Sequence, residues 1–126
     1  MPRPQMQISA TVLDAPDARV LAAFYERLLG WVRVADEPDW VSLRPGSGGT
    51  GLSFQSEPNF VAPAWPSLPD KQQMMSHLDI AVDDLEASVA WALQAGARLA
   101  DFQPQHDVRV LLDPVGHPFC LFCESD

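Results

Sequence analysis

The sequence predicts an α+β fold built from two tandem βαβββ modules, and three observations carry that reading. A short apolar strand followed by an Asp-capped helix, residues 8–13 then 17–30, returns as residues 77–82 then 84–96. Further short runs of alternating apolar and polar residues follow each helix, bounded by Gly, Pro, Asp and Ser. The two strand–helix units also divide the 126 residues almost equally, as a duplicated unit would. Two similar half-sheets place a ligand most naturally in the cleft they share.

In the first module, residues 8–15 alternate as a strand. Asp14, Ala15 and Pro16 make a turn, and Asp17 caps a helix that runs to Leu29 and stops at Gly30. The expected apolar stripe of this helix is Val20, Leu21, Phe24 and Leu28. Strands follow at 31–35, 40–44 and 52–56, separated by turn-forming stretches at 36–39 and 45–51. Residues 58–70 carry Pro58, Pro63, Pro66 and Pro69 with little periodicity, which reads as an extended connection.

The second module repeats the order. A strand at 76–82 precedes a helix from Asp84 to Ala97. Strands follow at 99–102, 108–112 and 118–123, the last two joined through Asp113-Pro-Val-Gly116. Phe24 belongs to the core at helical spacing, and Trp91, its counterpart in the repeat, takes the same reading. Trp31 and Trp40 begin strands, at a sheet edge or a subunit interface. The expected organisation is one domain over 1–126, with module one at 6–57, the connection at 58–74 and module two at 75–125.

Composition limits the partners. A formal net charge of −9, from 17 acidic against 8 basic residues, opposes binding to a phosphate backbone or an anionic membrane. No apolar run approaches the roughly 18 residues of a membrane span, and the first residues lack the apolar core of a secretory signal, so the expected location is the cytoplasm. Cys120 and Cys123 lie on one strand and point to opposite faces, roughly 10 Å apart at ~3.3 Å per residue. They are expected to be reduced, half-buried thiols. No Ser/His/Asp arrangement, phosphate-cradling Gly loop or EF-hand pattern is present, which leaves nucleophilic hydrolysis and nucleotide binding unsupported.

Strand parity separates core from cavity. Leu78, Ile80 and Val82 share one face and must pack on the helices, so His77, Asp79 and Ala81 look inward. The same parity turns Phe119, Leu121 and Cys123 toward the helices and Cys120 and Phe122 inward. In the first module Leu52 and Phe54 face the helix, leaving Ser53 and Gln55 on the inner side. The cavity is therefore expected to be apolar with a few polar groups, as small-molecule sites are.

The helix ending Phe24-Tyr25-x-x-Leu-Leu-Gly30-Trp31, the pair His77-Leu-Asp79 before Asp83-Asp84-Leu85, and Asp113-Pro-x-Gly-His-Pro-Phe119 resemble the vicinal oxygen chelate superfamily. With Pro63-x-Trp-Pro66 and the closing Gly-His-Pro-Phe-Cys120, the chain is most similar to its glyoxalase-like domain group, of glyoxalase, bleomycin-resistance and dioxygenase type. The resemblance implies a cupped mixed sheet with helices on the outside, and a homodimer with clefts at or beside its interface. Metal-using members of the superfamily resemble one another at four inward positions, which fall here on Ala10, on Ser53 or Gln55, on His77 and on Cys120. Only His77 suits a hard divalent cation there without qualification.

The leading expectation is a small-molecule-binding protein that holds a partly apolar or aromatic ligand in the cleft without a required metal. Trp65, Phe60 and Phe122 are its apolar walls, and His77, Asp79 and Gln55 its orienting polar groups, with Cys120 on the same inner face. Each has a plainer alternative. Phe60 and Trp65 pack on the domain or are exposed; His77 is a hydrogen-bonded pocket residue; Asp79 forms a salt bridge with Arg109. His117 serves backbone groups after the Gly116 turn, and His106 lies in a polar loop. The rival function is a metal-dependent lyase, isomerase or dioxygenase with His77 as a ligand, its other donors drawn from Cys120, Gln55 or a partner chain. A structural module with a filled cavity is the third class.

Overall fold

The computed structural model describes residues 2–124, so the expected end of module two at residue 125 lies outside the described residues. The chain divides between Pro58 and Asn59 into two compact units. Each is a four-stranded mixed sheet with one α-helix, in βαβββ order. No helix among the described residues is long and apolar enough to cross a membrane.

The first unit runs β1 (Ala10–Ala15), α1 (Ala18–Leu29), β2 (Val32–Glu37), β3 (Trp40–Arg44) and β4 (Gly51–Ser56). Asp17 caps α1 by accepting the Arg19 N–H, and Gly30 closes it in the left-handed conformation (φ 68°). The sheet order is β1-β4-β3-β2, with β1 parallel to β4 and the others antiparallel. Val41 faces Phe54 and Leu43 faces Leu52 across β3 and β4, and all four are buried with Leu21, Phe24 and Tyr25 of α1. Tyr25 stacks on Phe54 at 5.6 Å and meets Phe24 edge-on at 4.8 Å. The buried stripe is thus centred on Leu21, Phe24 and Tyr25. Val20, expected in it, is 55% exposed because it lies on the flank that turns away from the sheet.

The second unit runs β5 (Leu78–Val82), α2 (Leu85–Ala95), β6 (Arg98–Leu99), β7 (Val108–Leu112) and β8 (Pro118–Cys123). Asp84 caps α2 through the Ala87 N–H, and the Gly96 N–H returns to Ala92 and Leu93. The sheet order β5-β8-β7-β6 repeats that of the first unit. Its helix side buries Phe119 and Leu121 of β8 and Leu111 of β7, with Ala92 from α2. Trp91, expected in the core, is 56% exposed. Ala92, the next residue, takes the buried place on α2, so the small residue meets the sheet and the indole points aside.

Two expectations about length change for local reasons. The first strand of module one begins at Ala10 rather than residue 8, with Ile8 exposed. The strand expected at 99–102 shrinks to Arg98–Leu99; one more backbone bond follows it, from the Ala100 N–H to the Val110 carbonyl at 3.0 Å, and there the Gln103 side chain completes the pairing with β7. Its Nε2 donates to the Ala100 and Val110 carbonyls and its Oε1 accepts the Val110 N–H, each at 2.8 Å. In the β7–β8 turn, Gly116 has φ 103°, and a Cβ there would lie 3.0 Å from the Ala62 Cβ, so glycine alone fits without strain.

Candidate functional site

Register defines the inner face of the second sheet. Asp79 lies opposite Cys120 and Ala81 opposite Phe122 in the parallel β5–β8 pair. On the other flank of β8, Val110 lies opposite Cys120 and Val108 opposite Phe122. Asp79, Cys120 and Val110 therefore form one row on a common face, and Ala81, Phe122 and Val108 the next. Ala100, Val110 and Cys120 make a buried apolar cluster, against which Trp65, Val108 and Leu112 pack.

The connecting segment lays an aromatic ring on this face. Trp65 is half-buried, donates its Nε1–H to the Phe102 carbonyl at 3.0 Å, and holds its ring 6.1 Å from that of Phe102. Phe60, from the same segment, packs elsewhere in the unit, its ring 5.4 Å from that of His117. Phe122 is half-buried beside Cys120.

A polar group borders the apolar row. His77, just before β5, places Nε2 2.9 Å from Asp79 Oδ1. Burial pushes the Cys120 thiol above its ordinary range, and the Asp79 carboxylate adds to this by its charge and by the hydrogen bond between them. Asp79 thus meets both His77 and Cys120. Arg109, expected to pair with Asp79, does not. It lies opposite Leu121, on the helix side of the sheet, and its Nη1 donates to the His106 and Val108 carbonyls.

The cysteines are both free, but not both half-buried as expected: Cys120 is buried and Cys123 is exposed. One prediction follows directly. Iodoacetamide in short exposure should label Cys123 well before Cys120, read by peptide mass spectrometry. Equal labelling would mean that the Cys120 side of β8 is open to solvent.

In the first unit the inner face is more polar. Ser42 and Ser53 share a hydrogen bond at 2.9 Å, with Ser53 buried. Gln55 is exposed and donates Nε2–H to Asp14 Oδ1 at 2.7 Å, directly across the β1–β4 pair. Trp40 lies opposite Gln55 on β3 and shares its face. Sequence reasoning left Trp40 at an edge or interface; pairing β3 with β4 residue by residue is the signal that assigns its side.

Two βαβββ modules in tandem, each with the parallel strand pair at one edge, define the architecture of the vicinal oxygen chelate class. The family model for the glyoxalase-like domain matches residues 10–122, and the chain belongs to that family. A search of the curated proteins finds no match. Among solved structures, the chain is similar in fold to an antibiotic binding protein from Streptomyces sp. CB03234, at 18% identity and TM-score 0.66, covering 98% of this chain and 99% of that one. A bleomycin resistance determinant encoded on the transposon Tn5 matches at 20% identity and TM-score 0.61, with 96% and 100% covered. A glyoxalase/bleomycin resistance protein/dioxygenase family enzyme from Burkholderia phytofirmans PsJN matches at 20% identity and TM-score 0.65, with 90% and 94% covered.

The four positions at which metal-using members of the class place donors do not suit a hard divalent cation here. Ala10 has no donor atom. The Ser53 hydroxyl is buried against Ser42, and Gln55 offers only a neutral amide oxygen once its nitrogen is given to Asp14. Cys120 supplies sulfur where a hard cation needs oxygen.

Proposed function

We propose that the chain binds a small, partly apolar or aromatic molecule on the inner face of its second module, with no metal required for binding. The observation that carries this reading is the composition of that face: a continuous apolar row under Trp65, bordered by the His77–Asp79 pair. Such a surface offers dispersion and stacking to a flat ligand and a few polar groups to orient it. Trp65 and Phe122 act as walls. His77 and Asp79 orient the ligand.

The fold likeness to an antibiotic binding protein and to a bleomycin resistance determinant supports an antibiotic-sequestering role. The same reading includes a homodimer, for which the exposed Val12, Val32 and Val34 of the first module offer apolar surface.

The test is calorimetric titration of chelator-treated protein with bleomycin and a panel of planar aromatic antibiotics. At least one compound should bind, and Trp65→Ala should weaken it about tenfold or more, equivalent to about 1.4 kcal/mol. Trp91→Ala, on α2, should bind as the wild type does. Absence of binding across the panel, or a Trp65→Ala variant with undiminished affinity, would overturn the reading.

A further inference from the structure

The first module carries a constellation of its own, set in one row across its whole sheet. Asp14 of β1 lies opposite Gln55 of β4, Gln55 opposite Trp40 of β3, and Trp40 opposite Glu37 of β2. Residues paired in this way share a face. An indole therefore stands between two carboxylates, one on each edge strand, with an amide beside it. Trp40 is 38% exposed, Gln55 and Glu37 are exposed, and Asp14 is half-buried.

The partners of these groups set what the row can bind. Gln55 gives its Nε2–H to Asp14 Oδ1 at 2.7 Å, which leaves its own Oε1 as an acceptor. Among the described residues Glu37 makes no ion pair and no other ring packs on Trp40. The guanidinium groups of the module are engaged elsewhere. Arg19 and Arg33 pair with Asp36 and Glu26, and Arg44, further along β3 on the same face, donates to Ser9 and to the Gly49 carbonyl. The π face of an indole attracts cations, and so do the carboxylates at the two ends of the row. At about 4.8 Å per strand, the backbones of Asp14 and Glu37 lie about 14 Å apart, too far to share a single small ion. A long, thin cation charged at both ends meets all three groups at once.

We propose that this row binds a linear aliphatic oligoamine, with its terminal ammonium groups at Asp14 and Glu37 and its methylene chain laid across the Trp40 ring. Gln55 Oε1 accepts a hydrogen bond from an ammonium N–H along the way. The net charge of −9 draws such a polycation to the protein, and the row gives it a place to settle. The site is contained within the first module. Its ligand is chemically unlike the flat, partly apolar one proposed for the second.

The experiment is calorimetric titration of the whole chain with spermidine, 1,4-diaminobutane and butylamine at one ionic strength. Spermidine should bind one per chain and more tightly than the diamine, and butylamine should be weakest. Trp40→Leu should weaken spermidine about fivefold or more, and Glu37→Gln and Asp14→Asn about threefold or more each. Asp83→Asn and Glu86→Gln, which remove the same charge from exposed places on the second module, should leave it unchanged. Circular dichroism checks each variant; should Trp40→Leu fail to fold, Glu37→Gln at its exposed position decides the matter. Butylamine binding as tightly as spermidine, full affinity in Trp40→Leu or Glu37→Gln, or equal losses in the second-module variants would each overturn the site, the last by revealing diffuse attraction to the net charge. Trp65→Ala should leave spermidine binding unchanged, so failure of this proposal is distinguishable from failure of the antibiotic reading.

Discussion

Replacing Asp113 with alanine should destabilise the protein by about 3 kcal/mol or more in urea unfolding, one of the two largest effects expected of a single substitution. Asp113 is fully buried, and its Oδ1 accepts the backbone N–H groups of Val115, Gly116 and His117, each at 3.0 Å. Hydrogen bonds to a charged acceptor contribute about 1.5–3 kcal/mol apiece, and a buried donor left without its partner loses its solvation as well. Local rearrangement recovers part of the sum, which sets the expectation near 3 kcal/mol rather than at the full total. Asp113→Asn, which keeps an oxygen at the same place without the charge, should lose about half as much. A loss under about 1 kcal/mol for the alanine variant would show that the turn holds itself without the carboxylate. The turn matters to the site because it delivers β8 to β7 in the register that puts Cys120 beside Val110 and Phe122 beside Val108.

Phe24→Ala should cost about 3–5 kcal/mol, while Trp91→Ala, at the equivalent place in the repeat, should cost less than about 1 kcal/mol. Phe24 is fully enclosed and meets Tyr25 edge-on, and Tyr25 in turn stacks on Phe54, so truncation opens a cavity inside an aromatic cluster. Trp91 is more than half exposed, and its removal empties no comparable space. Comparable losses for the two variants would show that Trp91 is covered in solution by something outside the single chain.

That pair of residues also shows what the sequence can and cannot reveal. Strands at Trp40–Arg44, Val108–Leu112 and Pro118–Cys123 are legible as short apolar-rich runs bounded by turn residues. Both helix starts are legible because an aspartate with a short side chain caps each. Helix phase is less secure: repeat alignment puts Trp91 where Phe24 is, but on α2 the buried place falls to Ala92. Position along a strand gives the side, which is why the sequence alone puts His77, Asp79 and Cys120 on one face. Partnership across strands requires register. Spacing alone pairs Arg109 with Asp79, whereas register sets Arg109 opposite Leu121, and only register sets Trp40 opposite Gln55. The Asp113 carboxylate was legible as part of a turn, whereas its role as acceptor for three successive amides depends on backbone directions that spacing does not encode.

The side chain of Gln103 has a further consequence beyond completing the pairing with β7. By accepting the Val110 N–H and sharing the Val110 carbonyl with the Ala100 N–H, it covers the margin of β7 just beyond the two-residue β6. An uncovered strand margin is a template on which another polypeptide can add itself, the first step toward fibrous aggregates. A single side-chain amide thus closes the Val110 stretch of that margin to a further strand, at the side of the sheet farthest from β5, without adding a residue to β6.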